Sequence, residues 1–250
     1  MPGTIALTFD DGPHADTETI LDVLEAHGVR ATFFICGNNN PKGSFDDPDT
    51  PWGATLRRMY DAGHQMASHT WTHADLSVTS PAVRQQQVVF NEMAFRNLFG
   101  FFPTYLRPPY ASCSAECQAD MDRWGYHVIN FDLDTRDFIN DAPDLIGTSK
   151  DIFSQAVSSD AAGHSYNVLA HDIHHYTALE LTDYMILTLK ERGYRAVTVG
   201  ECLGDPAENW YRDAEYTSTG EPAGVHVPNR HKLDEGAEDD DDDEDEDETD

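Results

Sequence analysis

Apolar and polar positions along this 250-residue chain change period again and again. Ile5, Leu7 and Phe9 alternate with smaller or polar neighbours, the period of a short buried strand. That run stops at Asp10 and Asp11, where Gly12-Pro13 opens a turn. Residues 16–27 carry Ile20, Leu21, Val23 and Leu24 at helical spacing, and Gly28 is placed to stop them. A β-rich run at 31–35 follows, so the chain opens with strand, helix, strand, the unit of a parallel sheet.

The alternation continues. A polar loop over 36–52, with three Asn and three Pro, leads to a helix at 53–61 that turns Leu56, Met59 and Tyr60 inward, then to a strand at 65–68. The longest helical segment is 81–100, with Pro81 in its first turn; Val83, Phe90, Ala94 and Leu98 are predicted to form its buried face, with Val89 and Met93 beside it. Beyond it the pattern predicts strands at 104–106, 126–131, 168–170 and 195–199 and helices at 114–124, 144–157 and 179–191, with an acid-rich loop over 132–142. About seven strands alternating with about six helices predict an α/β fold, a (β/α) barrel short of eight units, with a doubly wound open sheet as the alternative. No Gly-rich dinucleotide loop is present.

Past residue 204 the composition turns polar, and from 234 it is nearly all acid. The expected organisation is a folded domain over 1–203, a polar extension over 204–233, and an acidic tail over 234–250 that cannot bury a core and should be disordered. Removing the tail's 14 acids along with the cations Arg230 and Lys232 takes the formal charge from −30 to −18, so the folded part is acidic too. Phosphate backbones and anionic membranes need clustered Lys and Arg, so the charge argues against them as partners; a neutral or cationic ligand fits better, and solubility alone accounts for the acidity equally well. No apolar run reaches the roughly 18 residues that span a bilayer. No leader is read ahead of the first strand, since Met1-Pro2-Gly3 runs almost directly into it. Cys36, Cys113, Cys117 and Cys202 lack zinc-knuckle spacing. Disulfides are the more economical reading, 36 with 202 and 113 with 117, against four free thiols; bonds would imply an oxidising, extracellular setting.

Adjacent carboxylates at a strand end project in different directions, so one of Asp10 and Asp11 can bind a cation while its neighbour accepts a proton. Taken alone, Asp10-Asp11-Gly12-Pro13 is equally well turn chemistry. His69-Thr70-Trp71-Thr72-His73 places two histidines four apart, which on a helical turn face the same way and can share one metal ion. Both stretches follow strands, and in a parallel barrel strand C-termini share a rim, so Asp11, His69 and His73 can converge there. Two imidazoles and a carboxylate suit a catalytic Zn2+ with open positions. Arg107, Asp134, Asp137 and His171 also follow strands. Each has a plainer explanation by itself, as surface ion pair, solvated acid or core histidine.

The runs Thr8-Phe9-Asp10-Asp11-Gly12-Pro13, Ser68-His69-Thr70-Trp71-Thr72-His73, Arg107-Pro108-Pro109-Tyr110, Asp134-Thr135-Arg136-Asp137-Phe138 and Leu169-Ala170-His171 resemble, in this order, the five motifs of the polysaccharide deacetylases. This is the NodB-homology group, carbohydrate esterase family 4. The four cysteines and the spacing of Cys113 and Cys117 look most like the fungal chitin deacetylases. The resemblance implies a distorted barrel with an open substrate groove. It implies Asp10 as general base, Asp11, His69 and His73 as ligands of Zn2+ or another divalent ion such as Co2+, and Arg107 as the residue orienting the base. Tyr110 would lend a backbone N–H to the oxyanion, Asp137 would pair with His171 as general acid, and Leu169 would line the acetyl pocket. Trp71, Pro109 and Phe138 join the substrate-binding set, Phe138 standing where the family usually has Trp. The implied function is hydrolysis of N-acetyl groups from chitin or chito-oligosaccharides by a secreted, extracellular or cell-wall monomer. Acetylxylan esterase and peptidoglycan deacetylase are the alternatives within the family. A catalytically silent glycan-binding protein would have lost a base or ligand, and every matched position is occupied. His174 and His175 fall outside the matched motif and take no role.

Overall fold

The structure, a computed structural model, describes residues 1–213. The acidic stretch 234–250 and most of the polar extension lie outside the described residues. The chain opens with β1 (Thr4–Asp10), crosses through α1 (Thr17–His27) to β2 (Thr32–Ile35), and through α2 (Trp52–Asp61) to β3 (Gln65–Ser68). Then come α3 (Pro81–Phe99), β4 (Phe101–Pro103), β5 (Tyr105–Leu106), α4 (Ala115–Arg123), β6 (His127–Val128) and β7 (Leu133–Asp134). The last part holds α5 (Ile146–Ala156), β8 (Ser165–His171), α6 (Thr182–Glu191), β9 (Arg195–Val197), α7 (Val199–Leu203) and β10 (Tyr211–Asp213).

The parallel sheet runs β6-β5-β3-β2-β1-β8-β7, and β9 pairs with the start of β1. Its two end strands, β6 and β7, are consecutive in sequence, so their pairing is the one step missing from a closed ring. The fold is therefore a curled half-barrel, as the strand and helix count predicts, and the doubly wound alternative is discarded. β1 lies at the centre, with every residue buried, paired to β8 along its whole length and to β2 and β9 on the other edge. Helices pack on the outer face of the curled sheet and side chains fill the inner one, so β1, β2 and β3 are buried throughout. Ile5, Leu7 and Phe9 join the main core, where Phe9 stacks on Phe33 at 5.3 Å. Thr8 and Asp10 point the opposite way, into the barrel.

Three expectations are corrected. The first concerns α3, whose buried face is Arg84, Gln87, Val88, Asn91, Ala94 and Phe95, while Val83, Phe90 and Met93 are 40, 43 and 42% exposed. The helix turns polar groups inward because it braces the loop after β3. Asn91 Nδ2 donates to Ser68 Oγ at 2.8 Å and to the Ile35 carbonyl at 3.0 Å, and Gln87 exchanges bonds with Thr72 at 2.7 and 2.8 Å. Arg84 is buried against Asp120. Ala94 is buried and Leu98 packs on the core as the period predicts, but the period misplaces Val83 and Phe90 because the buried partners of this helix are themselves polar.

The second concerns the cysteines. Cys113 and Cys117 are bonded, with Cα atoms 5.2 Å apart, but Cys36 and Cys202 are free. Cys36 follows β2 at its C-terminal end and donates to the His69 carbonyl, whereas Cys202 lies beside Met1 and Thr4 at the other end of β1. The length of the sheet separates them. The third is the strand predicted over 126–131, which shortens to His127–Val128 because the carbonyls of Ile129 and Asn130 are drawn to the Arg107 side chain instead.

The packed body also continues beyond residue 203. Trp210 and Tyr211 are buried, β10 pairs antiparallel with β4, and the Met66 N–H donates to the Tyr211 hydroxyl at 3.0 Å, completing an edge of β3. The cysteine arrangement predicts that the chain, unfolded without reductant, reacts with two equivalents of a thiol reagent and with four after reduction. Finding none before reduction would restore the 36–202 bond.

Candidate active site

All the parallel strands deliver their C-terminal ends to one rim, and the loops there carry an unusual backbone. Asp11, Thr70, His73, Tyr110, Ala111 and Arg136 have φ between 54 and 83°. They are the non-glycine residues with positive φ among the described residues, and each lies in a rim loop. Each such conformation costs on the order of 1–2 kcal/mol, a cost that is tolerated where side chains must be aimed.

Asp10 is the last residue of β1, 3% exposed, and accepts from Arg107 Nη1 at 2.7 Å. Asp11 leaves the strand at φ 83°, which swings its carboxylate away from its neighbour's. Its Oδ1 is 3.4 Å from His69 Nε2 and 3.2 Å from His73 Nε2. The turn behind it passes so close to the buried Asp172 that a Cβ on Gly12 would lie 1.9 Å from Oδ2, so only glycine fits. Burial pushes the Asp172 carboxyl up to about 7, against a 2.7 Å hydrogen bond from Thr17.

The residues present fit a metal ion. Asp11 Oδ1 is buried with no hydrogen-bond partner, and the ligand atoms of Asp11, His69 and His73 all lie within 4.8 Å of one another. His69 Nδ1 lies 2.7 Å from the Arg107 carbonyl oxygen. A carbonyl can only accept, so Nδ1 carries the proton and Nε2 keeps its lone pair towards Asp11. Burial lowers the pKa of His73 despite the Asp11 charge, which favours the uncharged, ligating ring. Two nitrogens and one oxygen with room beside them match a catalytic Zn2+ centre or a similar divalent ion. The histidines do not sit on a helical turn: residues 69–73 form a loop, and left-handed Thr70 and His73 curl it so that both rings face Asp11.

Beside Asp10, β8 brings up His171, in register with it on the adjacent strand. His171 Nδ1 donates to Asp137 Oδ1 at 2.8 Å, and Asp137 Oδ2 accepts from the His171 N–H at 2.7 Å and from Thr177 Oγ1 at 2.8 Å. Burial alone would disfavour both charges. The hydrogen bonds and mutual attraction outweigh it, raising His171 to about 9 and holding Asp137 below the usual carboxylate range.

These groups line one open cavity of about 350 Å3: Asp10, Asp11, His69, His73, Arg107 and His171, with Tyr110, Phe138 and Leu169 on its walls. Tyr110 is left-handed, 69% exposed, and its ring meets His73 edge-on at 4.6 Å. Two expected substrate contacts do not line it. Pro109 is buried, and the Trp71 ring packs over Gly37, so tightly that a Cβ there would lie 2.0 Å from Cε3. The loop that turns His69 and His73 inward turns Trp71 away. Phe131, Asp134 and His174 line the cavity as well. Of these, His174 went unassigned in the sequence, where the only signal was its position three residues beyond His171. A larger recess of about 890 Å3 lies at the other pole, between the ends of α1 and α2. Its Arg30 and Arg58 are already paired with carboxylates, so it offers no comparable convergence.

A family profile described as polysaccharide deacetylase matches residues 1–129. The chitin deacetylase of Colletotrichum lindemuthianum is 48% identical over 214 residues, 85% of this chain and 84% of that one. A chitin deacetylase of a Pestalotiopsis species is 42% identical, over 85% of this chain and 67% of its own. The solved structure of the Colletotrichum lindemuthianum chitin deacetylase superposes with a TM-score of 0.84 at 45% identity, covering 87% of this chain and 95% of that one.

Arg107→Met strands the buried Asp10 carboxylate without its cation, and should lower unfolding free energy in urea by about 3–5 kcal/mol. A loss below about 1 kcal/mol would show that the pair does not hold the site together.

Proposed function

This chain belongs to the polysaccharide deacetylase family, and from that premise we propose that it hydrolyses N-acetyl groups of chitin or chito-oligosaccharides, giving chitosan and acetate. The observation that carries the reading is the convergence on one cavity of a two-histidine, one-aspartate centre with a base on one side and a charged imidazole on the other. The named similarity to two chitin deacetylases selects the substrate among acetylated glycans.

Asp11, His69 and His73 would hold the divalent ion, Zn2+ or one such as Co2+. When bound, it supplies polarisation of the acyl oxygen and of the attacking water. Asp10 takes the proton from that water, its carboxylate fixed by Arg107 so that it need not reorient. Oxygen charge developing on the acyl group lies near the left-handed turn at Tyr110, whose backbone N–H is the proposed donor. Leu169 gives the acetyl methyl an apolar wall. His171, protonated through neutral pH and held by Asp137, passes its Nε2 proton to the departing nitrogen. Without that proton an amine is too basic to leave.

The open cavity lets a polymer lie across the rim, and the exposed face of Phe138 is a surface for a sugar ring. No helix among the described residues is long and apolar enough to cross a membrane. The Cys113–Cys117 bond supports a secreted, extracellular or cell-wall setting. A monomer that binds no nucleic acid completes the reading.

Acetate release from chito-oligosaccharides should stop on chelation and return with a divalent ion; release indifferent to chelation would remove the metal centre, and stronger release from acetylated xylan or peptidoglycan would move the substrate. The pH dependence follows from His171. Its acid form prevails below about 9, so kcat/KM should decline as pH rises through that value. Asp137→Asn removes the partner that raises the pKa and leaves the burial that lowers it. The limb should then fall to about 6.5 or below, and a limb unmoved in Asp137→Asn would take the acid role from His171.

A further inference from the structure

Beside the His171–Asp137 pair stands a second one of similar build. His174 Nδ1 is 3.3 Å from Asp141 Oδ2, and the His171 and His174 rings meet edge-on, 5.6 Å between centroids. Both acids come from the loop after β7 and both histidines from the end of β8, so one pair of segments supplies two imidazoles to one cavity. Their surroundings differ. Asp137 is sealed from solvent, whereas Asp141 is 27% exposed and also accepts the backbone N–H of Tyr176 at 2.7 Å and of His175 at 3.3 Å. Asp141 thus fixes the segment carrying His174 as well as the ring. Since a carboxylate accepts, Nδ1–H of His174 donates to it, and Nε2 is left to accept on a ring that lines the cavity.

We infer that His174 is a specificity-determining residue that accepts a hydrogen bond, at Nε2, from a hydroxyl of the sugar whose nitrogen is released. This rests on the deacetylase reading above. His171 delivers its proton to that nitrogen, and His174 adjoins His171 instead of the metal ligands, so the group within reach is the sugar body beyond the amide. Sugar rings present hydroxyl donors at every unit, and an imidazole nitrogen with its lone pair free is their complement. The contact binds substrate without entering the bond-breaking steps.

The test is steady-state kinetics of the zinc-loaded enzyme on the tetramer of N-acetylglucosamine. His174→Ala should raise KM about three- to tenfold, the range for one lost hydrogen bond, with kcat within about twofold and the alkaline limb unmoved. His174→Gln, whose amide oxygen can accept, should recover most of the KM. An unchanged KM overturns the inference, as does a fall in kcat with a displaced limb, which would make His174 part of the acid. A loss in both variants that tracks lowered Tm also overturns it, as a structural effect. Calorimetric binding of the same oligomer separates this claim from the one beneath it. If wild type binds more tightly than His174→Ala yet frees no acetate, the sugar contact stands and the reaction falls; equal affinities sink the contact.

Discussion

A guanidinium buried in a protein must find a hydrogen-bond acceptor for nearly every N–H and a carboxylate for its charge, and Arg107 meets both demands at the centre of this barrel. It is 1% exposed. Nη1 donates to Asp10 and Thr8 at 2.7 Å each, Nε to Ile129 O at 3.3 Å, and Nη2 to Asn130 O and Asn167 Oδ1 at 3.2 and 3.3 Å, while the group lies 4.0 Å over the Phe34 ring. Burial pulls its pKa down, and the Asp10 charge and hydrogen bond pull it back. These acceptors belong to β1, β8 and the segment between β6 and β7. The side chain therefore bridges the gap where the sheet fails to close, and the Asp10 carboxylate is fixed by the same bonds that hold the split barrel together. Its own carbonyl orients His69, so Asp10 and the Asp11–His69–His73 cluster share one support.

Around that anchor the rim accepts locally unfavourable conformations in return for aim. Left-handed Asp11 separates two neighbouring carboxylates, left-handed Thr70 and His73 bring together two rings that an extended loop would splay, and left-handed Tyr110 turns at the cavity mouth. The opposing stabilisation comes from below, where β1, β2 and β3 are buried throughout and their side chains pack with α1, α2 and α6 in one core. The inward polar face of α3 supplies the remaining constraint by tying Ser68 and Thr72, on either side of the first histidine, to fixed amides. Rigid strands set the positions of the reacting groups, and braced loops set their directions.

Three acids within one site stand in three different environments because their partners differ. Asp10 has a guanidinium, Asp137 has an imidazolium and a hydroxyl, and Asp11 has an oxygen with no hydrogen on it. The strong acidity of the whole chain says nothing about this division. It is the pairing of each carboxylate with a particular donor, or with none, that suits the three to the separate parts of base, orienter and ligand proposed for them.

The sequence by itself determined the alternating strands and helices, the sharing of one rim by the strand ends, and the identity of the groups there, because period and turn chemistry are local and Asp10, Asp11, His69, His73, Arg107, Asp137 and His171 all sit where a strand ends. Tertiary structure decided what depends on partners far along the chain. Of the predicted face of α3, Ala94 is buried and Leu98 packs on the core, but Val83 and Phe90 face outward because Ser68, Thr72 and Asp120 offer the polar stripe better bonds than the core offers those two. Cys36 and Cys202 are compatible in count and separated by the length of β1. Trp71 belongs to the loop of His69 and His73 but is turned onto Gly37, and His174 enters the cavity because Asp141 draws it there. Local pattern specifies which elements form. Which way a side chain faces is settled by whatever hydrogen-bonding and packing partner the folded chain brings against it.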